Sequence, residues 1–146
     1  MNIRIMKISD YDAVYQLWLF CSGIGLNNFD DSPEGIERFL QRNPESCFVA
    51  ETNGKLAGVI MAGHDGRRGH IYHMAVDPLF RRQKIGSMLL DHALLSLKEQ
   101  GISKVSLVVF ESNTGGNAFW GNHGFTPRED LIYRNRIIEN PEQMDT

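Results

Sequence analysis

Charge of one sign never accumulates in this sequence. Its 15 Lys and Arg and 18 Asp and Glu leave a net charge of -3, with neither sign gathered into a block, which excludes broad attraction to nucleic acid or an anionic membrane surface. Cysteine is scarce. Cys21 and Cys47 stand far apart without CxxC or Cys/His ligand spacing, so no metal site or disulfide framework is expected, only two small buried thiols in a reducing cytoplasm. No apolar run approaches the length of a bilayer-spanning helix, and the opening "MNIRIMKISDYD" has no apolar secretory core. A cytoplasmic protein that does not enter membranes is expected. Internal repeats and low-complexity segments are missing, and 146 residues suit one domain, 1–146, with a polar tail from about 139 to 146 expected to fray.

What is present reads as alternating elements. "IRIMKI" alternates apolar and polar residues as a strand does. Ser9 is placed to cap a helix with Asp12 three residues on, and Val14, Leu17, Trp18 and Cys21 form its apolar stripe. Ser32-Pro33 starts a second helix, which Asn43-Pro44 ends. Asn53-Gly54 joins two strand-like runs in a tight hairpin. A further strand runs from about His70 to Val76, and a helix from about Lys84 to Gln100 is closed by Gly101. "KVSLVVF" reads as a buried strand, "GGNAFWGNHGF" as a short helix and "DLIYRNRII" as a last strand. The order predicts a mixed α/β sheet domain, an antiparallel meander feeding one strand-helix-strand crossover.

The turn "RRQKIGS", Arg81 to Ser87, is the chemically pointed stretch. A helix begins just after it, and the first amides of a helix carry the positive end of the macrodipole without intrahelical partners. Arg81, Arg82 and Lys84 add charge, Gly86 removes a Cβ, and Ser87 adds a hydroxyl, a combination that suits a pyrophosphate. A solvated basic surface, with Gly86 easing helix-sheet packing, is the competing explanation. GxxxxGK[ST] and GxGxxG are both absent, which makes a nucleotide loop of those kinds remote.

The run "HMAVDPLFRRQKIGSMLLDHAL" resembles the acyl-CoA-binding motif of the GCN5-related N-acetyltransferase (GNAT) superfamily, in which an R/Q-x-x-G-x-G/A turn joins a strand to a helix. "ESNTGGNAFWGNHGF" is similar to that family's second motif, N-x-x-A-x-x-F-Y-x-x-x-G-F. The resemblance implies a GNAT fold with six to seven strands and about four helices. It implies acetyl-CoA as co-substrate, a primary amine or protein N-terminus as acceptor, and no metal. Carried over by position, Ala75 and Val76 would pair with the pantetheine arm, while Arg81, Arg82, Gln83, Lys84, Gly86 and Ser87 would hold the pyrophosphate. Asn113 and Trp120 would complete the cofactor site. Lys84 stands where the family has glycine, Gly116 where it has alanine, and Trp120 where many members have a tyrosine that protonates the leaving sulfur. Homodimers are common in the family, and no residue pattern here decides the matter.

Direct attack, the family's usual chemistry, needs a base and an acid but no nucleophilic cysteine. The family register puts the base at His70; the competing view makes it a loop-edge histidine and His73 a core residue. On a regular strand His70, Tyr72 and Met74 share one face and Ile71 and His73 the other, so only one histidine is expected to face a given cleft. Tyr133 and Glu111 are further catalytic candidates, each with a packing or turn role as its alternative. The acceptor is expected between "GIGLNNFDD" and "TPREDLIY", where Asp30 and Asp31 either attract a cationic amine or cap the following helix. A catalytically silent acyl-CoA-binding sensor or partner module with this fold is the alternative to the enzyme.

Overall fold

Residues 1–21 and 24–142 are described in a computed structural model of the chain. Gly23 of the expected acceptor segment and residues 143–146 of the expected tail lie outside them. Five strands form one sheet in chain order: β1 (Asn2–Ile5), β2 (Cys47–Thr52), β3 (Lys55–His64), β4 (Gly69–Val76) and β5 (Val105–Ser106). Pairing is antiparallel through β4 and parallel between β4 and β5. The parallel step requires a crossover, which α3 (Ile85–Glu99) supplies. Helices α1 (Tyr11–Phe20), α2 (Pro33–Arg42) and α4 (Thr114–Asn122) complete the elements.

Local chemistry sets most of the boundaries. Asn53 and Gly54 both take positive φ, 52° and 76°, and turn the β2–β3 hairpin with the twist its strands need. Ser32 Oγ accepts from the Gly35 amide at 3.1 Å ahead of Pro33 and fixes the start of α2. The start of α1 differs from the Ser9 cap expected. A 3-10 turn, Ile8–Asp10, comes first, and the Asp10 carboxylate accepts from the Lys7 amide and from both terminal guanidinium nitrogens of Arg4. A carboxylate satisfied by three donors organises this entry more firmly than a serine hydroxyl can.

Two cores lie on opposite faces of the sheet. Val14, Trp18, Ile36 and Leu40 of α1 and α2 pack on Val49, Val59, Met61 and Ala75. Leu89, Leu90, Ala93 and Leu97 of α3 pack on Ala50, Ile60, Ala62 and Ile71. Along β3 the odd positions from Val59 thus meet α1 and α2 while the even ones meet α3, the strand period expressed as packing.

Toward the C-terminus the sheet is shorter than expected, with five strands in place of six or seven. "KVSLVVF" pairs only at Val105 and Ser106, and Val108 and Phe110 are exposed rather than buried. Residues 130–138 form no strand, and Ile138 is 97% exposed. Apolar alternation specifies a face but not a neighbour, and a strand exists only where its amides and carbonyls find a ladder. The tail is tied at Glu142, whose amide donates to Asn28 Oδ1 and whose carbonyl accepts from the Asn28 amide. Among the described residues no helix is long and apolar enough to cross a membrane.

Candidate active site

The site follows from the way β5 leaves β4. After Gly69 pairs with Val105 and His70 with Ser106, the two segments part, and among the described residues the edge of β4 from Ile71 to Val76 has no strand beside it on that side. A cleft of about 1370 Å³ opens along it. Its far wall is residues 107–110 and α4, its floor the start of α3, and its near wall the loop before α2. This exceeds the range of about 300–1,000 Å³ usual for a drug-sized ligand and leaves room for a long ligand and a second reactant.

A bulge in β4 decides what that edge presents. His73 pairs with Met61 and Ile71 with Ala62, so Tyr72 is opposed by no residue of β3. The strand's alternation is reset there. Ile71 belongs to the α3-side core, whereas the His73 ring meets Trp18 of α1 edge-on at 5.0 Å, and Tyr72 meets Phe39 of α2 at 5.4 Å. The His70 ring lies 4.5 Å from that of Tyr72. Both histidines therefore face the α1–α2 side, which corrects the expectation that only one could.

At the floor, Arg82 and Lys84 both adopt left-handed backbone, φ 68° and 61°. Lys84 is the N-cap of α3 and has no side-chain cap bond; its carbonyl accepts the first helical bond, from Met88. The amides of Ile85, Gly86 and Ser87 accordingly have no helical carbonyl to bind. Arg81, Arg82, Lys84, Gly86 and Ser87 all line the cleft.

The sequence profile of the acetyltransferase (GNAT) family matches residues 11–125. The chain belongs to the GNAT family. An acetyltransferase of Pectobacterium atrosepticum is 33% identical over 142 residues, 97% of this chain and 99% of that protein. Among solved structures, Ard1 from Thermoplasma volcanium is 26% identical with a TM-score of 0.71, over 86% of this chain and 82% of its own. Rv2747 from Mycobacterium tuberculosis, solved in complex with CoA, is 26% identical with a TM-score of 0.70, over 88% and 74%. The fold is the GNAT fold, with a mixed five-stranded sheet and four helices.

Within this GNAT cleft the expected residues fall into three groups. Ala75, Val76, Asn113 and Trp120 line it together with the floor residues, whereas Gln83 does not. Asn113 caps α4 by accepting from the Gly116 amide at 2.9 Å. A Cβ on Gly116 would lie 2.5 Å from the side-chain nitrogen Nδ2 of Asn113, so the glycine in place of the family's alanine is coupled to this cap. Trp120 packs edge-on with Phe119 and Phe125. Gly86 is a packing glycine as well as a cleft one: a Cβ there would meet the Phe119 ring at 3.2 Å. Ser87 Oγ is 2.8 Å from His123 Nε2, while His123 Nδ1 donates to the Phe119 carbonyl at 2.7 Å. With Nδ1 donating, Nε2 of the neutral ring is an acceptor to which the serine hydroxyl donates, and the serine oxygen lone pairs then remain for other partners.

Of the catalytic candidates only His70 reaches the cleft. Burial lowers its pKa from the usual imidazole value and so favours the neutral ring; Nδ1 is 3.1 Å from Ser106 Oγ. Tyr133 is 70% exposed on the irregular C-terminal segment, because the strand expected to carry it does not form. Glu111 is exposed in the turn before α4 and forms no part of the cleft wall. Cys21 lines the cleft, but burial raises its thiol pKa, and burial pushes Cys47 up to about 12; both stay protonated thiols. The pairing that sequence reasoning missed is His73 with Asp31, Nε2 to Oδ1 at 2.8 Å. Strict strand alternation hid it, and only the bulge brings it to this face.

Proposed function

We propose that this GNAT protein transfers an acetyl group from acetyl-CoA to an amine by direct attack. The observation that carries the reading is the parting of β4 and β5 above a basic helix start. The open β4 edge at Ala75 and Val76 offers backbone groups to the amide-rich pantetheine arm as an added strand would. The unpaired amides of α3, with Arg81, Arg82 and Lys84 around them, suit the pyrophosphate. The thioester then lies toward the α1–α2 face, where His70 and His73 stand and where the loop before α2 leaves room for the acceptor. A neutral imidazole takes the proton of the acceptor, and the thiolate departs into a cleft open to water.

Calorimetry with acetyl-CoA, coupled to detection of free thiol with spermidine, L-lysine and N-terminal peptides as acceptors, tests this. Binding with amine-dependent thiol release is expected. Tight binding without release from any acceptor would favour the sensor alternative, for which Trp120 in place of a tyrosine speaks. No binding would overturn both.

A further inference from the structure

We infer that His73, oriented by Asp31, is the general base of the transfer; this rests on the transferase reading above. Asp31 is held on every side. Its Oδ2 accepts from the Asn27 amide at 2.9 Å, its own amide donates to the Asn27 carbonyl at 3.0 Å, and its carbonyl accepts from the Tyr11 hydroxyl at 2.6 Å. The remaining carboxylate oxygen, Oδ1, faces His73 Nε2 at 2.8 Å, with the two side chains only 4% and 13% exposed.

A carboxylate can only accept, so Nε2 carries a proton, and in the neutral ring Nδ1 is the nitrogen that holds the lone pair. No other hydrogen bond engages the His73 ring among the described residues. The Trp18 ring fixes the plane of the imidazole edge-on at 5.0 Å, and both His73 and Asp31 line the cleft. This is a base with its proton acceptor free, its tautomer set and its ring clamped. Asp30, Arg38, Arg42, His70, Tyr72 and the Cys21 thiol are the other ionisable groups lining that side of the cleft. His70 lacks a carboxylate partner and its Nδ1 is already engaged by Ser106.

The step balances as follows. The acceptor ammonium gives one proton to His73 Nδ1, and the imidazolium is stabilised by Asp31. The freed amine lone pair forms the C–N bond at the thioester carbonyl, the C–S bond breaks, and the second amine proton reaches the departing thiolate. His73 returns its proton to water. Asp31 is a positioning residue and His73 the catalytic one.

The test starts with the wild-type protein, acetyl-CoA and the three acceptors, then compares His73→Gln, Asp31→Asn and His70→Gln. His73→Gln is expected to lower kcat/KM by about 100-fold or more at unchanged acetyl-CoA affinity and to remove the imidazole inflection from the pH profile. His70→Gln is expected to keep that inflection. Long-range NMR of 15N-histidine-labelled protein should find His73 as the Nε2–H tautomer, and Asp31→Asn should disturb it while acetyl-CoA still binds. An inflection that survives in His73→Gln, or a His73 protonated on Nδ1 in wild type, would overturn the dyad while leaving the transferase intact. Wild-type protein that releases no thiol with any acceptor would overturn the transferase reading and the dyad with it.

Discussion

Ile71 and His73, two positions apart on one strand, face opposite sides of the sheet, because Tyr72 between them is opposed by no residue of β3. The bulge therefore does two things at once. It breaks the strand's alternation just past the point where β4 and β5 part, and it delivers Tyr72 and His73 together to the α1–α2 face.

Tyr72 should hold that face to α2. Its ring meets Phe39 edge-on at 5.4 Å although more than half of it is exposed. Tyr72→Ala is expected to lower stability by about 1 kcal/mol, and a double-mutant cycle with Phe39→Ala in urea should recover most of that as coupling. Zero coupling would mean that the aromatic contact does not anchor the bulge.

Lys84 bears a backbone conformation that a side chain makes unfavourable. At φ 61° a residue with a Cβ costs about 1–2 kcal/mol relative to glycine. Lys84→Gly should be more stable than Lys84→Ala by about 1 kcal/mol, since both remove the ammonium and only glycine relieves the strain. Both should bind acetyl-CoA more weakly than wild type and with a shallower salt dependence. Equal stability of the two variants would show that the turn relaxes around either residue.

This position shows how much the sequence could tell. The spacing of Arg81 and Gly86 marked the floor of the cleft, and the glycine expected between them is the one whose φ the turn needs; lysine adopts it all the same. The hairpin at Asn53-Gly54, the Ser32 cap and the Gly101 stop were equally legible, each fixed by chemistry within a few residues. What could not be read depended on distant partners. Residues 130–138 alternate as a strand does but meet no ladder, and the register slip at Tyr72 leaves no mark in the pattern of β4 itself. The His73–Asp31 pair follows from that slip and was hidden with it.

His70 supplies a pH prediction with a definite sign. Burial holds its folded pKa below the ordinary value of 6.5, so the unfolded chain binds this proton more readily than the folded one. Its neutral form is accommodated without penalty above about pH 6.5, and stability falls as the pH drops from there through the lower folded pKa. Urea midpoints at pH 7.5 and 5.5 should therefore differ more in wild type than in His70→Ala. NMR titration should place the His70 midpoint below 6.5, and a midpoint above it would contradict the burial argument.

Gly35 tests whether the loop before α2 is as tightly set as the placing of Asp31 requires. In an isolated helix alanine is favoured over glycine by about 1 kcal/mol. Here a Cβ on Gly35 would stand 2.6 Å from the Asp30 carbonyl oxygen and press on that of Phe29, and neither backbone atom can rotate aside. The helix or the loop must move, at a cost of about 1–3 kcal/mol for overpacking, and the loop carries the carboxylate that lies 2.8 Å from His73. Gly35→Ala is thus expected to destabilise the protein and to slow thiol release, whereas Gly115→Ala, whose added Cβ meets nothing within 4 Å, should leave stability unchanged or raised. A Gly35→Ala variant as stable and as active as wild type would mean that the loop has slack, and a carboxylate on a slack loop could not hold one imidazole tautomer against the cleft.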